Sequence, residues 1–307
     1  MTAERIVVLS GPTASGKSDL ALALAREFPL EIVNADSLQL YRHFDIGTAK
    51  PTAAERSEVP HHLIDVADPD EPYDAGRYIR DAERAIGEIR ARGKVPMLVG
   101  GTGMYIRALL RGLDPLPSDP RVREELSRRW KAEGAAALHA ELARIDPGTS
   151  AKVHPSDRLR VLRALEIAAV AGVPPSRART SWNSSGARHG CLFLALWPDR
   201  EMLYRGIDLR TEEMFRRGLL EEVRELLSRG FGRSLKPMMA LGYRHAVAHL
   251  LDGVPLSETI EAVKRDTRRY AKRQVTWLSS EPYLVPVVPG EASRLPAESV
   301  RIYLSCP

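Results

Sequence analysis

The sequence predicts an α/β fold in which helices flank a parallel sheet and a small helical domain is inserted. Short apolar runs alternate with segments of helical periodicity over residues 6–99, the order typical of parallel strands linked by helices. Near residue 115 the pattern changes to a Pro-rich stretch followed by two helical segments. The 307 residues, 44% hydrophobic and 28% charged, suffice for one large or two modest domains.

The strands are predicted from apolar, often β-branched runs and the helices from apolar residues at helical spacing. Predicted strands cover residues 6–9, 31–35, 63–66, 95–99 and 191–197, and predicted helices cover 19–26, 74–92, 120–143, 156–171 and most of 199–279. Residues 172–190 are rich in Ser, Arg, Pro and Gly and are predicted to form a loop. We therefore predict an α/β core of residues 1–119 and 191–307 and a helical insertion domain of residues 120–190.

The composition excludes several classes of protein. No run approaches the roughly 18 apolar residues of a membrane-spanning helix, and we expect no signal peptide. Cys191 and Cys306 are too few for a disulfide framework, so we expect the reducing cytoplasm. Residues 119–198 carry 13 basic and 8 acidic side chains, and residues 199–279 carry 16 and 12. These basic stretches indicate a polyanionic partner, although a solvated arginine-rich surface explains them about equally well.

The turn between the first strand and the first helix matches the phosphate-binding pattern GxxxxGK[ST] in full. It consists of Gly11, Pro12, Thr13, Ala14, Ser15, Gly16, Lys17 and Ser18. Glycines let backbone N–H groups close around phosphate oxygens, the helix N-terminus attracts the anion, and Lys17 adds a positive charge. The Ser18 hydroxyl is a candidate Mg²⁺ ligand. The motif predicts a P-loop NTPase-like core and a di- or triphosphate site, without specifying ATP.

Two acidic residues are candidates for a role at this site. Most P-loop enzymes hold the metal with an acidic residue on a later strand, and Asp65 is a weak candidate because a structural turn explains it better. Asp36 follows the second strand and lies at the carboxyl edge of the sheet, where open α/β folds bind ligands. Alternatively, Asp36 caps a short helix over residues 37–41. Position alone leaves both interpretations of Asp36 open.

Several segments together resemble one family, the tRNA dimethylallyltransferases, also called tRNA isopentenyltransferases or IPP transferases. The resemblance extends from the P-loop to about residue 279, nearly the whole chain. Its motifs are GPTASGKS (11–18), DSLQLY (36–41), DIGTAKP (45–51), PHHLID (60–65), GGTGMY (100–105), RALE (163–166), GYR (242–244) and AKRQVTWL (271–278). Many families share the P-loop, whereas the whole set in this order is highly specific.

This resemblance implies a prenyltransferase that modifies tRNA. The family moves a dimethylallyl group from dimethylallyl diphosphate to N6 of the adenosine 3′-adjacent to the anticodon, position 37, in tRNAs reading codons that start with U. The products are N6-isopentenyladenosine and diphosphate. The P-loop would hold an isoprenoid diphosphate with Mg²⁺ near Ser18. We expect the tRNA anticodon stem-loop and dimethylallyl diphosphate as partners, no membrane, and a monomer in the cytoplasm.

The resemblance also assigns catalytic roles. Asp36 matches the general base for the adenine amino group, a poor nucleophile whose proton must leave as the new C–N bond forms. Thr102 matches a threonine that contacts the reacting groups, although a turn hydroxyl bonded to backbone would also explain it.

Cations are expected around the leaving diphosphate. Lys17 and Arg210 match residues that stabilise its growing negative charge. A further arginine, often found one turn earlier in the family, is replaced by Gly206, which leaves the role of the adjacent Arg205 open.

The resemblance places the target base outside the anticodon-loop stack, as enzymes that modify bases require. The matching tRNA-contacting positions are Asp36, Ser37, Leu38, Gln39, Thr102, Arg123, Leu159, Arg160, Arg163, Gly242, Tyr243, Arg244, Lys272, Arg273, Gln274 and Trp277. On the helix around residues 264–273, Arg265, Arg269 and Lys272 share a basic face suited to RNA phosphate or simply to solvent. Tyr270 and Trp277 lie on another face, where a core position is favoured over base stacking.

Two rival functions remain open. A P-loop kinase of a small metabolite would transfer the γ-phosphate of ATP, and the insertion could be mistaken for its arginine-bearing lid. An RNA-binding module with a vestigial P-loop is disfavoured, because Gly11, Gly16, Lys17 and Ser18 are all present.

Overall fold

The chain forms two compact units. The computed structural model describes residues 5–114, 116–178, 189–288 and 295–305. One unit combines Met1–Leu110 with His189–Pro307, and the other is Arg111–Arg188. The smaller unit thus begins nine residues before the predicted boundary at residue 120, because the Pro-rich stretch belongs with the insertion rather than with the core.

The larger unit is built on one six-stranded sheet with the order β3-β2-β4-β1-β5-β6. Every neighbouring pair of strands is parallel. The strands are β1 (Arg5–Ser10), β2 (Leu30–Asn34), β3 (His61–His62), β4 (Val95–Val99), β5 (Gly190–Leu196) and β6 (Leu284–Val287). The predicted fold class, a P-loop NTPase-like parallel sheet flanked by helices, is confirmed.

Helices link the strands and complete both units. In chain order they are α1 (Lys17–Glu27), α2 (Ala53–Glu58), α3 (Ala75–Ala91), α4 (Gly103–Arg111), α5 (Pro120–Ile145), α6 (Pro147–Ser150), α7 (Arg158–Ala171), α8 (Pro175–Ala178), α9 (Arg200–Arg216), α10 (Leu219–Ser228), α11 (Tyr243–Asp252), α12 (Leu256–Leu278) and α13 (Leu295–Ser305). Within the described ranges, none of them has both the length and the apolar character to cross a membrane.

Strands β1, β2, β4 and β5 are mostly apolar because both faces of the sheet are buried there. In β1, Ile6 and Val8 join one hydrophobic core while Val7 and Leu9 join another on the opposite face. A strand buried on both faces does not alternate apolar and polar residues as a half-exposed strand does. Continuous apolar runs in the sequence therefore predicted β1, β2, β4 and β5.

The third strand differs from the prediction. It covers His61–His62, whereas residues 63–66 were expected. Leu63 and Asp65 have positive φ angles of 62° and 57°, which a strand cannot accommodate. The edge strand β6 and the helices α2, α4 and α13 were not predicted, and the shortest of them, β6 and α2, carry little periodic signal.

The smaller unit is helical, as its sequence indicated. Its core lies between α5 and α7 and contains Leu126, Leu138, Leu142, Val161, Leu162, Ala164 and Leu165. The Pro/Gly connection after α5 forms the short helix α6, where the Asp146 carboxylate accepts a hydrogen bond from the Thr149 amide at 2.9 Å. The predicted loop of residues 172–190 contains α8, and its residues 179–188 lie outside the described residues.

Candidate active site

The P-loop connects β1 to α1 at the carboxyl edge of the sheet. Gly16 precedes α1 with φ of 85°, a left-handed conformation that favours glycine. A Cβ atom at Gly11 would lie 3.1 Å from the Cβ atom of Leu196, so β5 leaves little room for a side chain there. The Ser15 hydroxyl is buried without a hydrogen-bond partner among the described residues. An anion bound in the loop would satisfy such a hydroxyl.

Lys17 begins α1 and folds back over the loop. Its ammonium group donates a 2.7 Å hydrogen bond to the Pro12 carbonyl oxygen. Burial lowers the pKa of Lys17 to about 7, the positive charge of Arg210 contributes in the same direction, and the Asp36 carboxylate opposes them. Negative charge in the loop would stabilise the protonated ammonium. Lys17 is therefore placed to bind an anion.

A cavity of about 470 Å³, which we call the phosphate cavity, opens beside the P-loop. Its wall contains residues 14–19 and four basic side chains, those of Lys17, Lys50, Arg210 and Arg217. Asp19 and Glu55 also line the cavity, and Lys50 is paired with Asp45 and Asp65. The positive charge that suits a diphosphate therefore comes from Lys17, Arg210 and Arg217, next to a helix N-terminus.

Asp65 does not serve this cavity as a metal ligand. Its carboxylate forms ion pairs with Lys50 at 2.6 Å and with Arg56 at 2.8 Å. Together with its positive φ, these pairs support the structural interpretation of Asp65 as a turn residue.

Asp36 is held in place by Asn34 and Thr102. The Asn34 side chain accepts a 2.9 Å hydrogen bond from the Asp36 amide and donates one of 3.1 Å to the Asp36 carbonyl oxygen. Thr102 Oγ1 accepts a 3.0 Å hydrogen bond from the Ser37 amide. Asp36 Oδ1 accepts one of 2.8 Å from the Leu38 amide, so Asp36 caps a turn rather than the predicted short helix.

A second cavity of about 330 Å³, which we call the carboxylate cavity, contains Asp36 in its wall. Its lining also includes Thr13, Ser37, Leu38, Thr48, Arg210, Met239, Gly242, Arg244, Tyr270 and Arg273. Arg210 thus lines both the phosphate cavity and the carboxylate cavity. The structural and the functional interpretations of Asp36 are therefore compatible, because one residue caps a turn and faces a cavity.

Arg210 projects from α9 into this region. Its guanidinium donates a 3.3 Å hydrogen bond to the Thr48 carbonyl oxygen. Burial lowers the pKa of Arg210, and the charge of Asp36 opposes this shift. A buried guanidinium beside a carboxylate can neutralise charge that develops on a leaving group.

Arg205 and Gly206 on α9 differ in their position relative to the site. Arg205 is exposed and lies 3.5 Å from Glu201, and it lines neither cavity. Gly206 faces the P-loop, and a Cβ atom added to it would lie 3.2 Å from the Ala14 carbonyl oxygen. Arg205 therefore does not replace the arginine that the family pattern leads one to expect at this point.

Sequence reasoning missed Glu222, which organises the segment from residue 45 to residue 49. Its carboxylate accepts hydrogen bonds from the Asp45 amide at 3.0 Å and the Ile46 amide at 2.7 Å. It also accepts a 2.6 Å hydrogen bond from the Tyr243 hydroxyl. Because Glu222 lies far along the chain on α10, no local pattern signals this contact.

The positions expected to contact tRNA include a group that is accessible. On α7, Leu159 is 80% exposed and Arg160 is exposed beside it. Arg123 and Arg163 form ion pairs of 2.9 and 2.8 Å with the buried Glu166. The remaining accessible positions are Lys272 and Arg273 on α12 and Arg244 at the carboxylate cavity.

Other expected tRNA contacts are buried. The Tyr243 side chain is 0% exposed, and Gln274 is 7% exposed, so neither side chain is available to RNA. Trp277 packs against the hydrophobic core, with its ring 6.3 Å from that of Phe193, as its predicted core position requires. Tyr270, also predicted as core, instead lines the carboxylate cavity, with the Arg273 guanidinium 5.6 Å from its ring centre.

The residues present fit Mg²⁺ only together with bound phosphate. Ser18 lies in the first turn of α1 and lines the phosphate cavity. Among the described residues, no group of three or more His, Cys, Asp or Glu side chains could hold a metal ion. Mg²⁺ commonly uses phosphate oxygens and water for most of its ligands, so a single hydroxyl beside an anion site is a suitable protein contribution.

Fold and site together define a P-loop α/β protein that combines an anion cavity with a neighbouring carboxylate cavity. The chain matches a family model described as IPP transferase over residues 39–281 and one described as Isopentenyl transferase over residues 4–65. The chain belongs to the IPP transferase family.

Curated relatives and solved structures agree with this assignment. The tRNA dimethylallyltransferase of Geobacter sulfurreducens is 47% identical over 279 residues, which cover 91% of this chain and 90% of the relative. The tRNA dimethylallyltransferase 1 of Citrifermentans bemidjiense is 49% identical, with 90% of each chain covered. The structure of tRNA isopentenylpyrophosphate transferase from Bacillus halodurans has a TM-score of 0.70 and 35% identity, covering 98% of this chain and 94% of that one. A eukaryotic dimethylallyltransferase acting on tRNA has a TM-score of 0.78 and 29% identity, covering 98% and 78%.

Proposed function

We propose that this enzyme transfers a dimethylallyl group from dimethylallyl diphosphate to N6 of the adenosine 3′-adjacent to the anticodon in tRNA. The observation that carries this proposal is the position of Arg210, which lines the phosphate cavity containing Lys17 and the carboxylate cavity containing Asp36. A diphosphate in the first cavity and a nucleobase in the second would bring the leaving group close to the acceptor nitrogen. Relatives named tRNA dimethylallyltransferase support the same reaction.

The chemistry requires a base and a stabilised leaving group. The adenine N6 lone pair forms a bond to C1 of the dimethylallyl group, the C1–O bond breaks, and diphosphate leaves with the bonding electrons. Asp36 accepts the N6 proton, so that the product amine is neutral. Lys17, Arg210 and the P-loop amides stabilise the charge that develops on the diphosphate.

Thr102 supports this arrangement from the end of β4. Its Oγ1 accepts the Ser37 amide hydrogen, and its own hydroxyl hydrogen has no acceptor among the described residues. That hydrogen is available to a reacting group beside Asp36. When bound near Ser18, Mg²⁺ would neutralise part of the diphosphate charge.

The tRNA must present an extruded base, because an adenosine stacked in the anticodon loop could not enter a cavity. Accessible basic residues on α7 and α12 would bind the phosphate backbone of the anticodon stem-loop. We further propose that the enzyme acts as a monomer in the cytoplasm, on adenosine 37 of tRNAs that read codons starting with U.

The proposal is tested by incubating the enzyme with Mg²⁺, labelled dimethylallyl diphosphate and a tRNA that carries adenosine after its anticodon. Nucleoside analysis should recover the label in N6-isopentenyladenosine, together with one diphosphate per transfer. The same tRNA with guanosine at that position is the matched control and should remain unlabelled. Labelling that does not depend on this adenosine would contradict the proposed substrate.

The kinase alternative is not favoured, because the matched relatives carry the transferase name. Thermal unfolding in the presence of Mg²⁺ separates the two functions. Dimethylallyl diphosphate should raise the melting temperature, whereas ATP at the same concentration should not. Stabilisation by ATP alone would favour the kinase.

A further inference from the structure

The Gln274 side chain is a buried polar group between α12 and the P-loop. Its Oε1 accepts a 2.8 Å hydrogen bond from the Thr13 amide, and its Nε2 donates a 3.0 Å hydrogen bond to the Gly101 carbonyl oxygen. A buried carboxamide that bonds two separate backbone segments fixes their distance from each other.

The surrounding packing leaves this side chain little freedom. A Cβ atom at Gly101 would lie 2.2 Å from Gln274 Nε2, so only glycine permits the contact. One turn further along α12, the Trp277 ring covers Gly103, where an added Cβ atom would lie 2.3 Å from the ring. The segment from residue 101 to residue 103 is therefore fixed against α12 at both ends.

This contact reaches both halves of the site. Thr13 belongs to the P-loop and also lines the carboxylate cavity. Gly101 immediately precedes Thr102, whose hydroxyl accepts the amide hydrogen of Ser37 next to Asp36. A displacement of Gln274 would therefore disturb the phosphate-binding loop and the Thr102 contact at the same time.

We propose that Gln274 is a positioning residue for the diphosphate-binding loop and not a residue that contacts tRNA. By holding the Thr13 amide, it fixes the P-loop in the shape that exposes its later amides to the phosphates. On the same helix, Lys272 and Arg273 are exposed, so α12 presents one face to solvent and uses another to hold the P-loop. The inference rests on the proposed function in taking diphosphate as the ligand of the loop.

The test measures binding of inorganic diphosphate with Mg²⁺ by calorimetry in the absence of RNA. Gln274→Met preserves the length of the side chain and removes both hydrogen bonds, so its Kd for diphosphate should rise about tenfold. Its Kd for an anticodon stem-loop RNA should stay within about twofold of the unsubstituted protein. Lys272→Ala is the contrasting variant on the same helix and should weaken RNA binding while leaving the Kd for diphosphate unchanged.

The possible outcomes separate this inference from the proposed function. Unchanged diphosphate affinity in Gln274→Met, or a loss confined to RNA binding, would overturn the positioning role alone. Failure of the unsubstituted protein to bind diphosphate would overturn the proposed function and the positioning role together.

A second measurement uses the unsubstituted protein and does not depend on how well a variant folds. Amide hydrogen exchange followed by NMR should show the Thr13 amide protected before any ligand is added, because Gln274 already accepts its hydrogen. The Ser15 and Gly16 amides should become protected only when diphosphate binds. Fast exchange of the Thr13 amide in the free protein would overturn the inference.

Discussion

The two oxygens of the Asp36 carboxylate have different surroundings. Oδ1 accepts hydrogen bonds from the Leu38 and Gln39 amides at 2.8 and 3.4 Å. Oδ2 accepts none from the described residues. One oxygen therefore orients the side chain, and the other is available to take a proton from a substrate in the carboxylate cavity.

Asp36→Asn tests whether one oxygen orients the side chain while the other accepts the proton. The amide oxygen of asparagine can still accept the Leu38 amide hydrogen, so the turn and the fold should be retained. The NH₂ group cannot accept the N6 proton, and kcat should fall about 100-fold or more while the Kd for diphosphate changes little. Single-turnover assays and calorimetry measure the two quantities. Asp70→Asn, an exposed aspartate outside both cavities, serves as control, and near-normal turnover in Asp36→Asn would exclude the proposed base.

At the scale of elements, the segment from residue 45 to residue 49 connects α10 to Arg210. Glu222 on α10 accepts hydrogen bonds from the backbone amides of residues 45 and 46. The Thr48 carbonyl oxygen of the same segment accepts the hydrogen bond from Arg210. The Tyr243 ring packs over Gly47, where an added Cβ atom would lie 2.5 Å from the ring. Three segments that are distant in sequence thus fix one wall of the site.

Glu222→Gln should loosen this segment without changing the size of the side chain. Glutamine keeps only one acceptor oxygen, and its NH₂ group donates, so it cannot accept hydrogen bonds from both the Ile46 amide and the Tyr243 hydroxyl; we expect a loss of about 1–3 kcal/mol in the free energy of unfolding. Because Arg210 loses its fixed partner, kcat should fall as well. Urea unfolding and the transfer assay measure these effects. Glu221→Gln, at the neighbouring exposed position paired with Arg224, should change neither, and equal effects of the two substitutions would argue against the proposed connection.

The ion pairs between Asp266 on α12 and the residues Arg244 and His245 on α11 should make the free energy of unfolding depend on pH. Burial raises the pKa of Asp266, but hydrogen bonds from His245, Arg244 and Arg265 outweigh it and bring the pKa to about 2. Arg269 also faces this carboxylate, at 3.3 Å. Because the folded pKa lies below the unfolded value of 3.8, the stabilisation is present above about pH 4 and is lost as the pH falls towards 2.

Asp266→Asn should remove this contribution. The variant should be less stable than the parent protein at pH 6, and the difference should shrink as the pH is lowered through 4 towards 2. Urea midpoints measured at several pH values provide the comparison. A difference that stays constant over this range would show that the carboxylate charge is not responsible.

For the molecule as a whole, the basic residues of α12 and the insertion are expected to bind RNA phosphate. Lys272→Ala and Arg273→Ala should each weaken binding of the anticodon stem-loop and lower the slope of log K against log salt by about one. Lys94→Ala is the control, because Lys94 is exposed at the amino end of β4, at the edge of the sheet opposite the P-loop. Equal slopes for all three variants would mean that this face of α12 only contacts solvent.

Much of this architecture could be predicted from the sequence, and the reasons are local. Buried parallel strands produce continuous apolar runs, the P-loop has a fixed spacing, and Asp36 follows directly after a strand. By contrast, β3 has only two residues and leaves no such run. Asn34 beside Asp36, Glu222 below residues 45–47 and Gln274 behind the P-loop act through side-chain contacts. Those contacts exist only after folding, so no sequence pattern reveals them.

The glycine at position 206 gives α9 a particular constraint. Position 206 lies one helical turn before Arg210, and its missing side chain lets α9 approach the Ala14 carbonyl oxygen closely. An alanine Cβ at this position would lie so close to the Ala14 carbonyl oxygen that the loop or the helix would have to shift by a few tenths of an ångström. The absence of a side chain at position 206 thus helps to set how closely the helix that carries Arg210 lies to the P-loop.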